Sequence, residues 1–109
     1  MTNESGGRVW YGVRCVLKWR NHPDYEERIT VWRAESIDDA IELAEREAET
    51  YAADIGFDYL GLAQAYETRY SHIEDGSEIF SLIRTSSLAA DDYIKQFFAT
   101  GTEHEQVVK

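Results

Sequence analysis

The chain is short of cysteine, of cations and of long apolar runs, and each shortage closes off a class of answers. A single cysteine stands among 109 residues, so no internal disulfide framework can form. That residue, Cys15, sits in an apolar run and reads as a buried, inert thiol rather than a nucleophile. No stretch approaches the roughly 20 apolar residues of a membrane span. The polar run from Met1 to Gly7 holds no signal-peptide core, which makes the cytoplasm the default address. Lys and Arg number 11 against 21 Asp and Glu, a formal charge of −10. Nucleic acid and anionic lipid are therefore unsuitable partners, because their phosphates need cations. A basic protein partner would suit this charge, and solubility alone would also account for it.

Catalytic and metal motifs are absent too. His22, His72 and His104 lie far apart, and no Cys or His pair has zinc spacing. Asp38-Asp39 and Asp91-Asp92 fall in expected helix first turns, where carboxylates favour the positive dipole end. Glu74-Asp75-Gly76 lacks the remaining ligands of a calcium loop. There is no G-x-S-x-G elbow, and no Gly-rich loop feeds a helix. No catalytic residue, metal ligand or cofactor is assigned on this basis, and nothing in the sequence asks for an enzyme.

What the sequence does carry is periodicity. The length fits one domain, and 43% hydrophobic residues suffice for a core. Residues 1–8 read as a flexible lead-in, 9–101 as a single α+β domain and 102–109 as a flexible tail. VWYGVRCVLKWR alternates as a strand, and YEERITVWRA follows as a second after the Asn21–Asp24 turn. Ser36 opens a helix as its cap, with an apolar stripe from Ile37 to Ile55 and Gly56 as its stop. DYLGLAQAYETRY reads as a third strand, Glu74-Asp75-Gly76 as a turn and SEIFSLIRT as a fourth strand. A second helix is expected from about Ser87 through Phe98.

These readings predict a four-stranded, mainly antiparallel sheet in the order ββαββα, with both helices packed on one face. The expected core combines Val13, Cys15, Leu17, Ile29 and Val31 with Ile37, Ile41, Ala44, Ala48 and Tyr51. Leu60, Leu62, Ile79, Ile83, Ile94 and Phe97 complete it.

Several segments together resemble an uncharacterised bacterial family, the domain-of-unknown-function family numbered 4288. They are Trp10-Tyr11, Tyr25-Glu26-Glu27-Arg28-Ile29 and Ser36-Ile37-Asp38-Asp39-Ala40. Tyr59-Leu60-Gly61-Leu62, Tyr66-Glu67 and Gly76-Ser77-Glu78-Ile79-Phe80-Ser81 complete the set. The resemblance spans about residues 9–86 and leaves the second helix outside it. It implies a small α+β domain and no activity, so no functional residue is carried over.

One surface stands out. If the helices cover Val13, Cys15, Leu17, Ile29 and Val31, the reverse face bears Trp10, Arg14, Lys18, Arg28 and Trp32. Trp and Arg are enriched at binding hot spots. The face could pack on a twin subunit as a homodimer, bind another protein or a small anion, or be plain cation–π decoration. On the first two readings Trp32→Ala weakens association more than folding. The functional expectation is a small, acidic, non-enzymatic protein-interaction module that self-associates. One alternative is an immunity-type inhibitor of a basic toxin. Another is a small-molecule-binding domain or enzyme with a pocket between sheet and helices, lined by Gln64, Tyr66, His72 and Arg84.

Overall fold

The computed structural model describes residues 7–101 and 103. The lead-in expected over 1–8 and the tail expected over 102–109 lie largely outside these residues. Three strands form one antiparallel sheet in the order β2-β1-β3: β1 is Val9–Trp19, β2 is Tyr25–Ala34 and β3 is Phe57–Glu67. Helix α1, Ile37–Ile55, connects β2 to β3, and helix α2 is Ala90–Phe97.

Local chemistry explains α1. The Ser36 hydroxyl accepts the Asp39 N–H at 3.1 Å, and Gly56 ends the helix with φ 78° while its N–H reaches the Ala52 carbonyl. Alanines at every fourth position, Ala40, Ala44, Ala48 and Ala52, are buried. That spacing sets them in one row, and a methyl side chain lets the helix axis come close to the sheet. Beneath them lie Tyr11, Val13, Cys15 and Leu17 of β1, all buried. The core is thin: its largest fully buried side chains are Leu17 and Val13.

Two expectations fail here. The sheet has three strands, not four, because residues 68–89 carry neither helix nor strand. The Glu74–Gly76 turn does form, with Gly76 at φ 86° and the Ser77 N–H on the Glu74 carbonyl at 3.0 Å. The chain then crosses the sheet face instead of pairing along its edge. Two features account for this. β3 bulges at Leu60–Leu62, opposite the step from Cys15 to Leu17, which breaks the regular edge a fourth strand would need. Gly12, in the middle strand, has no side chain, and the Ile79 carbonyl lies where its Cβ would be.

The second correction concerns the helices, which do not share a face. No α2 residue comes within 8 Å, Cα to Cα, of α1 or of any strand. None of its residues is buried. Of the expected core, Ile29, Val31, Ile37, Leu60, Leu62, Ile83, Ile94 and Phe97 are exposed, Ile83 at 97%.

Candidate interaction surface

The strand register decides which side chains belong together. Cys15 opposes Arg28, Val13 opposes Thr30, and Tyr11 opposes Trp32. Directly opposed residues project from the same face. Arg28 and Trp32 therefore lie on the α1 side, while Ile29, opposite Arg14, and Val31, opposite Gly12, lie on the back. The face expected to bear Trp10, Arg14, Lys18, Arg28 and Trp32 is thus divided. Trp10, Arg14 and Lys18 keep the back, and Arg28 and Trp32 move beneath α1. The cause is parity: Trp19 N–H bonds the Asp24 carbonyl at 2.9 Å, so a loop of this length pairs odd residues of β1 with even residues of β2. A shift of one residue would flip every side chain.

On the α1 side these residues hold the layers together. The Arg28 guanidinium forks onto Glu47 at 2.8 and 3.1 Å and lies 3.6 Å from the Tyr51 ring centroid. The Tyr51 hydroxyl donates to Glu26 at 2.9 Å. Across the alanine row, the Tyr59 hydroxyl donates to Glu45 at 2.5 Å. Burial and that carboxylate together raise the Tyr59 pKa. Burial also raises the Cys15 thiol, against a smaller lowering from its contact with the Tyr59 hydroxyl. Glu45 and Glu47 therefore tie α1 to β3 and β2. Trp32 donates from Nε1 to the Thr30 hydroxyl at 2.6 Å and packs against the core.

The back of the sheet is covered only in part. The segment 77–86, here called the arm, crosses it. The Tyr66 hydroxyl donates to Glu78, and Phe80 packs 6.2 Å from Tyr66 and 6.0 Å from the Arg14 guanidinium. Arg14 also pairs with Glu27, its Nε donating at 3.2 Å, and Lys18 donates to the His22 carbonyl at 2.6 Å. Beside the arm, Ile29, Val31 and Leu62 remain 44%, 36% and 58% exposed.

The four residues expected to line one pocket are spread over three places. Gln64 and Tyr66 share the back face, and Gln64 accepts from Arg14 at 3.4 Å. His72 lies 3.4 Å from Glu74 in an open hollow of the 69–77 loop. Arg84 sits on the arm, donates to the Tyr93 hydroxyl at 2.9 Å and lies 4.3 Å from the Phe97 ring. Arg84 and Arg14 instead share a cleft of about 840 Å³ between the β1–β2 hairpin and α2, walled by Tyr25, Phe97 and Phe98. Sequence reasoning missed this cleft. Part of its signal lies in the apolar side of α2, where Phe97 is expected in the core and instead walls the cleft.

Among the described residues no three His, Cys, Asp or Glu side chains cluster as a metal site, and no helix is long and apolar enough to cross a membrane. No family model matches this chain, and no curated protein or solved structure matches it significantly.

Proposed function

We propose that this chain is a non-enzymatic protein-interaction module that self-associates through the back of its sheet, together with the arm and α2. The observation that carries the reading is apolar surface left open in two places on one small chain. Ile29, Val31 and Leu62 are exposed on the sheet, and Ile94, Phe97 and Phe98 on α2. Scattered exposed apolar residues are ordinary, but Ile29 and Val31 stand two apart on one side of β2, and Ile94, Phe97 and Phe98 cluster at the end of α2, which suits an interaction site. The Cα radius of gyration of 16.3 Å supports it. A compact domain of this length has about 13 Å. A chain this open, with so few large buried side chains, gains stability when a second surface closes over it.

A ligand-pocket reading has less support, because Gln64 is exposed and its amide has a partner. The resemblance to the family numbered 4288, read from the sequence alone, adds no activity to this reading.

Light scattering and sedimentation across a wide concentration range test the reading. The wild type should form dimers, and Ile29→Asp should shift them to monomers while circular dichroism stays unchanged. A wild type that is monomeric at every concentration ends it.

A further inference from the structure

We propose that two copies of this chain join through the free edge of β2, the two β2 strands running antiparallel about a twofold axis at Thr30, so that the sheet of one chain continues into the sheet of the other. This rests on the self-association reading above and names where the two chains meet. The occupant of the edge is the partner's β2, and Ile29 and Val31 of both chains then form one apolar strip across the back.

The first argument is that the edge is open and regular. β2 is an outer strand, and its pairing with β1 runs without a break. Neither proline nor glycine interrupts Tyr25–Ala34. Next in register after Lys18 and Tyr25 come Trp19 and Asp24, and the Trp19 N–H bonds the Asp24 carbonyl at 2.9 Å. Bonded pairs alternate along an antiparallel ladder, so the even residues of β2 turn their N–H and C=O groups to β1. The odd ones, Tyr25, Glu27, Ile29, Val31 and Arg33, turn theirs outward. Among the described residues no other segment bonds these outward groups. No α2 residue comes within 8 Å of β2, Cα to Cα. A row of unpaired N–H and C=O groups is a template for another strand.

The second argument is that β2 complements a reversed copy of itself. Its outward groups admit only registers that set odd residues opposite odd residues. Centred on Thr30, Ile29 meets the partner's Val31 and Glu27 meets the partner's Arg33, each twice by symmetry. Glu27, Ile29, Val31 and Arg33 are all exposed on the back. Arg14 bonds Glu27 through Oε1 alone, which leaves Oε2 to the partner's Arg33. Arg33 has no ion pair among the described residues. Centring one residue earlier sets Glu27 against the partner's Val31, and one residue later against the partner's Glu35. Opposite charges and paired apolar groups are the favourable cross-strand neighbours, and like charges the unfavourable ones. On the α1 side Arg28 and Trp32 are engaged within their own chain, by Glu47 and Thr30, so the back row chooses the register.

The opposite edge of the sheet limits the assembly to two chains. β3 bulges at Leu60–Leu62, and Gly61 there has φ 77°. Bulges are among the devices that keep an edge from pairing. A twofold contact uses both β2 edges and leaves only β3 edges outside.

Substitutions in the full chain test this. Val31→Pro removes one outward N–H and spares the ladder to β1, since an edge strand tolerates proline where its N–H faces out. Val31→Ala trims the same side chain and keeps the N–H. Sedimentation should show the Val31→Pro dimer at least about tenfold weaker than the Val31→Ala dimer, with circular dichroism unchanged, because each dimer loses two bonds and strands two carbonyls. Glu27→Arg and Arg33→Glu, each alone, set like charges opposite one another at two points and should weaken the dimer about tenfold. Mixed in equal amounts they should restore it, because both contacts of the mixed pair again join opposite charges. Equal affinity of Val31→Pro and Val31→Ala would overturn edge pairing, and self-association through the face of the sheet would stand. Charge variants that dimerise as the wild type does, or that fail to recover on mixing, would overturn the register and the proposal with it. A monomeric wild type would remove self-association itself. Should Val31→Pro misfold, the charge variants decide by the same outcomes.

Discussion

The carbonyl of Ile79 occupies the place where Gly12 would carry a Cβ, its carbonyl carbon lying 2.8 Å from that point. Gly12 lies inside β1 at a position with ordinary backbone geometry, so its value is the space it leaves and not a positive φ. Removing that space should expel the arm from the sheet.

Gly12→Ala supplies the first test. At a strand position with room to spare, Gly→Ala usually stabilises by about 0.4–1 kcal/mol. Here it should destabilise by about 1–3 kcal/mol, the usual cost of overpacking. Urea unfolding reads the sign, and limited proteolysis should show faster cleavage within 77–86. A stabilised variant would show that the arm is not seated at this point.

The Arg28–Glu47 fork should couple β2 to α1 by about 1 kcal/mol in a double-mutant cycle. Both side chains are partly shielded, at 21% and 35% exposure, which favours the upper end of the range for surface pairs. Arg28→Lys should not rescue it, because an ammonium lacks both the bidentate fork and the flat stack on Tyr51.

Ala44→Leu and Ala48→Leu should each cost about 1–3 kcal/mol in urea unfolding, although leucine is a good helix former. Both alanines are 1% exposed and face the sheet directly. An exposed position such as Ala53 should accept leucine with a change within about 0.5 kcal/mol.

Trp32→Ala should lower folding stability and leave dimer affinity within about twofold, since the indole packs beneath α1 rather than on the free face. Unfolding midpoints and sedimentation on the same samples separate the two effects. A variant that folds normally but fails to dimerise would return Trp32 to the interface.

Alkaline pH should unfold the protein through Tyr59 and Cys15. Burial raises the pKa of both in the folded chain. The unfolded chain therefore releases these protons first, and stability falls as pH rises past about 8.5 for the thiol and about 10 for the phenol. Tyr59→Phe should flatten the decline above about pH 10 in urea midpoints. An unchanged slope would place the alkaline sensitivity elsewhere.

Local signals in this sequence are strong and were sufficient for the local elements. Ser36, the alanine row and Gly56 define α1 at both ends because capping and periodicity act within a few residues. Alternation likewise defines β1, β2 and β3. For 77–85 the same alternation misleads, because a strand exists only where an edge accepts it, and the bulge at Leu60–Leu62 and the space above Gly12 direct the arm elsewhere.

By itself, then, the sequence determined the ends of α1 and the extended runs of β1, β2 and β3, since those choices rest on neighbours within a few residues. The tertiary structure alone decided which side each side chain serves. The pairing of Lys18 with Tyr25 carries Arg28 and Trp32 under the helix and turns Ile29 and Val31 outward. Alternation fixes that residues alternate, but only the pairing between strands, set by the loop that joins them, fixes which half faces the core.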